Sequence, residues 1–159
     1  MFHRILVAID GSEHARRALR EAIDLAAQNK AKLTVVSVYQ RPSTLLVGGP
    51  VVPPIDMGAL EEALRAEHEQ LLEQALQLIP QDVSVVKVLA EGQAAPAILA
   101  QARKDECDLV VVGSRGRGEM ASMLLGSVSH QILQRSGVPV LVVHVEGDER
   151  VAEAAEAAS

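Results

Sequence analysis

Short runs of branched aliphatic residues alternate with segments of helical pattern along most of this chain. The apolar runs occupy residues 4–9, 33–39, 83–89, 109–112 and 138–144. Runs this short and branched predict β-strands, and the alternating third run suits a sheet edge. The segments between them predict a helix that Ser12 caps, then helices over about 57–79, 94–103 and 127–136. Strand–helix alternation predicts an α/β fold, an open parallel sheet with helices on both faces.

Composition agrees with this fold class and argues against one class of partner. Apolar residues make up 48% of the 159 residues, and Phe2 and Tyr39 are the only aromatic ones. The predicted core is therefore aliphatic, as in buried strands covered by alanine-rich helices. A net charge of −6 and the lack of aromatic side chains argue against nucleic acid as a partner.

Two further observations bear on cell compartment and reactivity. No apolar run approaches about 20 residues, so we expect no membrane-spanning helix, and the start does not resemble a signal peptide, so we expect a cytoplasmic location. Cys107 is the only cysteine and has Asp105, Glu106 and Asp108 beside it. Neighbouring negative charge raises a thiol pKa, which predicts an inert cysteine.

Two segments stand apart from the strand–helix pattern. Residues 40–58 hold four prolines and three glycines and are long for a connection, which indicates a lid or docking loop, or a simple connector. Residues 146–159 are acidic and rich in alanine, which predicts a mobile tail after a single domain over residues 1–145.

A glycine-rich loop follows the fourth predicted strand. The chain reads GSRGRGEMASMLLGS from Gly113 to Ser127. Glycine lets a backbone approach an anion closely, and a helix start offers free N–H groups, so the stretch predicts a phosphate site. It is not a P-loop, because Glu119 and Met120 stand where that motif requires lysine and a hydroxyl residue. Its match to the dinucleotide-binding fingerprint is weak, because no acidic ribose ligand follows at the required distance.

The spacing Gly113-x2-Gly116-x9-Gly126-Ser127 resembles the ATP-binding branch of the universal stress protein family. The opening ILVAIDGSEHARRAL, the segment DLVVVGSRGRG, the helix start LLGSVSHQIL and the closing VPVLVVH resemble the family in the same order, over roughly residues 2–145. The resemblance implies a five-stranded open sheet of order 3-2-1-4-5, Rossmann-like and of the adenine nucleotide alpha hydrolase-like type. It also implies that ATP is the ligand, with Mg²⁺ on its phosphates. It further implies that the protein forms a homodimer through its edge strand, which runs from Val138 to His144. An open apolar edge is an aggregation hazard, so such pairing is physically sensible.

By the same resemblance, the adenosine lies near the ends of the first two strands and the phosphates lie over the glycine loop. Asp10 would bond the ribose or adenine, or else cap the first helix. Ser127 and Ser129 would donate to phosphate oxygens, with capping by Ser127 as the alternative. Arg115 would contact phosphate or ribose, or be a surface arginine. The full predicted set is Ala8, Ile9, Asp10, Val38, Val112, Gly113, Arg115, Gly116, Gly126, Ser127, Val128 and Ser129.

The alternatives for the other predicted residues are structural. Gly113, Gly116 and Gly126 would serve tight turns with positive φ, and Val38 would be plain core. His130 is predicted to lie on the surface, and Glu61, Glu62, Glu67 and Glu69 to form a solvated helix face.

Binding is better supported than catalysis, because no phosphate-gripping lysine and no certain base for water are evident. Together with this, the family resemblance implies a dimeric, nucleotide-responsive regulatory module in the stress response. Three alternatives remain: a slow ATP hydrolase, a nucleotide-free dimeric adaptor, and a flavodoxin-like electron carrier. The last ranks lowest, because few aromatic side chains are present to enclose a flavin.

Overall fold

A five-stranded parallel sheet, with strand order β3-β2-β1-β4-β5, forms the centre of the molecule and confirms the predicted topology. The computed structural model describes residues 1–43, 56–118 and 124–145. The strands are β1 (Arg4–Ala8), β2 (Lys32–Tyr39), β3 (Val85–Glu91), β4 (Leu109–Gly113) and β5 (Val140–Val143).

Four described helices connect the strands. They are α1 (Glu13–Asn29), α2 (Met57–Gln77), α3 (Ala94–Lys104) and α4 (Ser127–Arg135). Ser12 caps α1 as predicted, because its hydroxyl accepts a hydrogen bond from the Ala15 backbone N–H at 3.1 Å. None of the described helices has the length and apolar character needed to cross a membrane.

Alternate strand residues point to opposite faces of the sheet, and each face has its own apolar core. Ile5, Val7 and Val35 pack with α1 and α2 on one face. Leu6, Val36 and further residues of β4 pack with α3 and α4 on the other. The helices therefore lie on both faces, as predicted, and each strand contributes to both cores.

The predicted bounds of the third and fifth strands were wrong, and each error has a structural reason. The third strand begins at Val85, two residues later than predicted, because Val83 lies in a turn where its N–H donates to the Pro80 carbonyl at 3.1 Å. The fifth strand is shorter than predicted and begins at Val140, directly after Pro139. A proline has no N–H to give to a strand neighbour, although the Pro139 carbonyl accepts from Val110 N at 3.0 Å.

The central strand β1 is paired with β2 on one side and β4 on the other. The chain returns to the sheet on opposite sides of β1, so the strand order reverses there. Ligands of open α/β sheets bind beyond the carboxyl ends of the strands at such a point. Most of the predicted lid at residues 40–58 and all of the predicted tail at 146–159 lie outside the described residues, and the domain boundary at 145 stays a prediction.

Candidate functional site

A cleft opens at the carboxyl ends of β1, β2 and β4, where the strand order reverses. It encloses about 540 Å³ of space, part of it open to solvent, which is within the range of small-molecule sites. All the predicted site residues line it except Gly126 and Ser127, which stand beside it at the start of α4. The cleft brings together residues from five separate parts of the chain.

The cleft lining is aliphatic on the side of β2 and α3, here called the apolar end. On the side of the glycine loop and α4, here called the polar end, it includes Arg115 and Ser129 beside Val112 and Val128. Ala8, Ile9 and Val38 line the apolar end together with three residues that the sequence did not single out for the site, Val36, Ala94 and Ile98. Ala94 and Ile98 are one helical turn apart at the start of α3, and only the fold brings this turn to the end of β2. Ala15 also lines the cleft, although its sequence pattern indicated only the inner face of α1.

Asp10 joins the end of β1 to the glycine loop. Its Oδ1 accepts a hydrogen bond from the Ser12 N–H at 2.9 Å, and its Oδ2 accepts one from the Arg117 N–H at 3.2 Å. The alternative that Asp10 caps α1 is wrong, because Ser12 is the N-cap. The carboxylate instead faces the loop that lines the polar end of the cleft.

Gly113 is required because the backbone of α1 approaches it closely, whereas a side chain on Gly116 would meet the end of the Asp10 side chain, which can turn aside. A Cβ on Gly113 would lie 2.7 Å from the backbone carbonyl carbon of His14, at the start of α1. A Cβ on Gly116 would lie 2.8 Å from Asp10 Oδ2. The alternative of positive φ is wrong, because the described glycines with positive φ are Gly11, Gly92 and Gly118.

Gly126, rather than Ser127, is the N-cap of α4, and its φ of −73° is ordinary. Both alternatives, positive φ at Gly126 and capping by Ser127, are therefore wrong. Gly126 has no side chain with which to cap the first N–H groups of the helix, which carry partial positive charge. Its own N–H donates to the Ser114 carbonyl at 2.6 Å, so the start of α4 is fixed to the end of β4.

The buried hydroxyl of Ser129 also fixes the start of α4 to the end of β4. It donates to the Ser114 carbonyl at 2.8 Å and also lies 3.0 Å from the Gly126 carbonyl. A hydroxyl has a single proton, so in this state the predicted donation from the Ser129 hydroxyl to phosphate is not available. The Ser127 hydroxyl and the backbone N–H groups at the start of α4 are the candidates that remain for that donation.

An ion pair ties the glycine loop to α2. Arg117 Nη1 donates to Glu67 Oε1 at 2.7 Å, with both side chains about half exposed. The hydrogen bond from Arg117 lowers the pKa of Glu67, and the same bond raises the pKa of Arg117. Glu67 is thus solvated, as predicted for this helix face, but it also has a specific partner that the sequence did not reveal; Glu61 likewise pairs with Arg41.

His68, the next residue of α2, is bonded to the sheet. Its Nδ1 lies 2.8 Å from the hydroxyl of Ser37, which is fully buried. Because that hydroxyl donates its proton to the Ile9 carbonyl at 3.0 Å, it accepts from His68 Nδ1. Burial lowers the pKa of His68 below its ordinary 6.5.

Two other predictions concern residues away from the cleft. Burial, followed by the charges of Asp105 and Asp108, raises the pKa of Cys107 to about 11. The direction is the predicted one, although burial contributes more than the neighbouring charges. His130 is exposed on α4, also as predicted.

The fold and the cleft define the class of protein: an α/β protein with a cleft at the topological switch point of its sheet. The sequence profile of the universal stress protein family matches residues 1–144. Universal stress protein YxiE of Bacillus subtilis (strain 168) is 35% identical over 147 residues, covering 90% of this chain and 99% of that protein. The chain therefore belongs to the universal stress protein family.

Solved structures of universal stress proteins share the fold of this chain. Universal stress protein UspA from Lactobacillus plantarum superposes with a TM-score of 0.76 at 24% identity, over 89% of this chain and 97% of that one. A universal stress protein solved in complex with cAMP superposes with a TM-score of 0.60 at 26% identity, over 90% of this chain and 97% of that one.

Proposed function

We propose that this protein binds ATP in the cleft at the carboxyl ends of β1, β2 and β4. The observation that carries the proposal is the division of this single cleft into an apolar end and a polar end beside the start of α4. A purine fits the first, and a chain of phosphates fits the second. The family member that was solved with cAMP supports an adenine nucleotide as the class of ligand.

In the proposed pose, the adenine packs on Ala8, Ile9 and Val38, and Asp10 faces the ribose. The phosphates lie along the loop at Gly113 and Gly116 and reach the N-terminus of α4. Gly113 and Gly116 have no side chain to separate their backbone from a ligand there, and Gly126, the N-cap of α4, provides no side-chain cap to its first turn. Arg115 adds positive charge at the same end, since it also lines the cleft.

Mg²⁺ enters this proposal as part of the nucleotide. Mg²⁺ favours phosphate oxygens and water, with one or two carboxylates at most. Across residues 1–43, 56–118 and 124–145, no group of three or more His, Cys, Asp or Glu side chains could hold a metal. The residues present fit an ion that the phosphates carry, with the Asp10 carboxylate nearby.

We further propose that the protein acts as a nucleotide-responsive dimer in the cytoplasm during stress. Within the described residues, β5 pairs with β4 alone and leaves its outer edge open. Leu141 at this edge is 37% exposed, and pairing of two β5 strands would remove an edge that is prone to aggregation. Sedimentation velocity of the wild type and of Leu141→Lys tests this part, with a monomeric wild type as the contradicting result.

The binding proposal is tested by calorimetric titration with ATP–Mg²⁺ on the wild type, Ala94→Leu and Ala100→Leu. Ala94 lines the apolar end of the cleft, whereas Ala100 is exposed on the same helix. The larger side chain at position 94 should fill the adenine position and weaken ATP binding by about tenfold or more, which is roughly 1.4 kcal/mol. Ala100→Leu should bind like the wild type. Equal binding by all three proteins, or no binding at millimolar ATP, would contradict the proposal.

A further inference from the structure

Arg117 directly follows Gly116, which lines the cleft, and two carboxylates hold Arg117 in place. Its backbone N–H donates to Asp10 Oδ2 at 3.2 Å, and its guanidinium donates to Glu67 Oε1 at 2.7 Å. Glu67 comes from α2 and does not line the cleft, whereas Gly116 does. The backbone of Arg117 is thus fixed beside the site, and only its side chain is turned towards α2.

The Glu67–Arg117 pair is of the kind that can exchange partners. The side chain of Arg117 is 56% exposed and that of Glu67 is 44% exposed, so water can replace either partner. Exposed ion pairs contribute little to stability. A guanidinium matches the oxygens of a carboxylate and those of a phosphate with the same planar fork. A string of phosphates on the neighbouring loop offers Arg117 several negative charges in place of one.

We infer that Glu67 is an internal competitor for the nucleotide: Arg117 leaves Glu67 for the outer phosphates of ATP, and this exchange makes the site favour a triphosphate over a monophosphate. The inference rests on the proposed function. Adenosine and AMP, which lack the outer phosphates, leave the Glu67–Arg117 pair intact. Binding of ATP therefore also releases the connection between the glycine loop and α2, which gives the protein two surfaces that differ with the ligand.

The test compares binding of ATP–Mg²⁺, AMP and adenosine to the wild type, Glu67→Gln, Arg117→Gln and the double variant. Glu62→Gln is the matched control, because Glu62 is exposed on α2, outside the ion pair, and its change removes the same charge. Glu67→Gln should tighten ATP about two- to fivefold, the range that one exposed ion pair supplies. Arg117→Gln should weaken ATP by at least as much. Adenosine should bind all the proteins equally.

The double variant separates competition from general electrostatics. If Glu67 acts only through Arg117, then Glu67→Gln should have no effect on ATP affinity once Arg117 is glutamine. Equal gains from Glu62→Gln and Glu67→Gln, or losses of ATP and adenosine affinity by the same factor in Arg117→Gln, would overturn the inference. Melting temperatures without ligand check that the variants are folded. A wild type that binds none of the three ligands refutes the proposed function as well, whereas one that binds adenosine and ATP alike refutes only the inference.

Discussion

Replacement of Gly113 by alanine should destabilise the protein through the packing of α1 on β4, whether or not a nucleotide is bound. The new Cβ would lie 2.7 Å from both the carbonyl carbon and the Cβ of His14, and 2.9 Å from the Ala15 backbone nitrogen. Two of these three atoms belong to the backbone of the first turn of α1. No side-chain rotation can relieve that contact, so the helix itself must shift.

The size of the effect follows from these distances. Carbon atoms in contact lie about 3.5–4.0 Å apart, so the helix must retreat by roughly 0.8 Å or more. Overpacking of this kind costs about 1–3 kcal/mol. The φ of Gly113 is not positive, so alanine also stabilises by about 0.4–1 kcal/mol through the unfolded chain. The net loss is about 1–2 kcal/mol, which lowers the Tm by roughly 2–8 °C in a domain of this size.

Thermal unfolding followed by circular dichroism measures this shift, and Gly137→Ala is its control. A Cβ on Gly137 meets no described atom within 4 Å, and its φ is not positive. Gly137→Ala should therefore leave the Tm unchanged or raise it slightly. The packing argument for Gly113 is refuted if Gly113→Ala is as stable as Gly137→Ala.

Three further results are expected. Ser12→Ala removes the hydrogen bond to Ala15 N and should cost about 1 kcal/mol in urea unfolding; an unchanged midpoint would contradict the cap. Burial lowers the pKa of His68 from 6.5 in the folded protein. The unfolded chain therefore binds more protons than the folded protein as the pH falls below 6.5. Stability should fall as the pH drops through 6.5, and less so in His68→Gln; equal slopes for both proteins would contradict this. The pKa of Cys107 is about 11 in the native protein, so only about one thousandth of its thiol groups are thiolate at pH 8. Cys107 should therefore react with a thiol reagent far more slowly in the native than in the unfolded protein. Equal rates in the two states would refute its burial.

The strand order could be anticipated from the sequence, since strand–helix alternation and the family resemblance agree with the observed sheet. The strand bounds could not be anticipated, because an apolar pattern indicates which residues are buried and not which residues pair with a neighbouring strand. Val83 shows the difference: it is 7% exposed and packs in the core, yet it lies in a turn. Pro139 shows a second cause, because a residue without an N–H limits where the ladder of β5 can begin.

The glycine loop could be proposed as part of the site because its residues are close together in the sequence. The strand ends could be proposed because they follow strands that were expected to be neighbours. Ala94 and Ile98 could not, because nothing local distinguishes the first turn of α3 from any apolar helix start. The roles of the glycines also depended on tertiary structure: the need for glycine at position 113 comes from His14, which is distant in sequence. The Glu67–Arg117 pair is hidden for the same reason, since 50 residues separate its members.

The most direct test of the account is a titration of the ¹⁵N-labelled protein with ATP–Mg²⁺, followed by amide chemical shifts. We predict that the largest changes occur at Gly113, Gly116 and the first turn of α4, where the backbone N–H groups would meet the phosphates. Changes confined to the opposite end of the strands, around Cys107 and Arg135, or a spectrum that ATP leaves unaltered, would contradict the account.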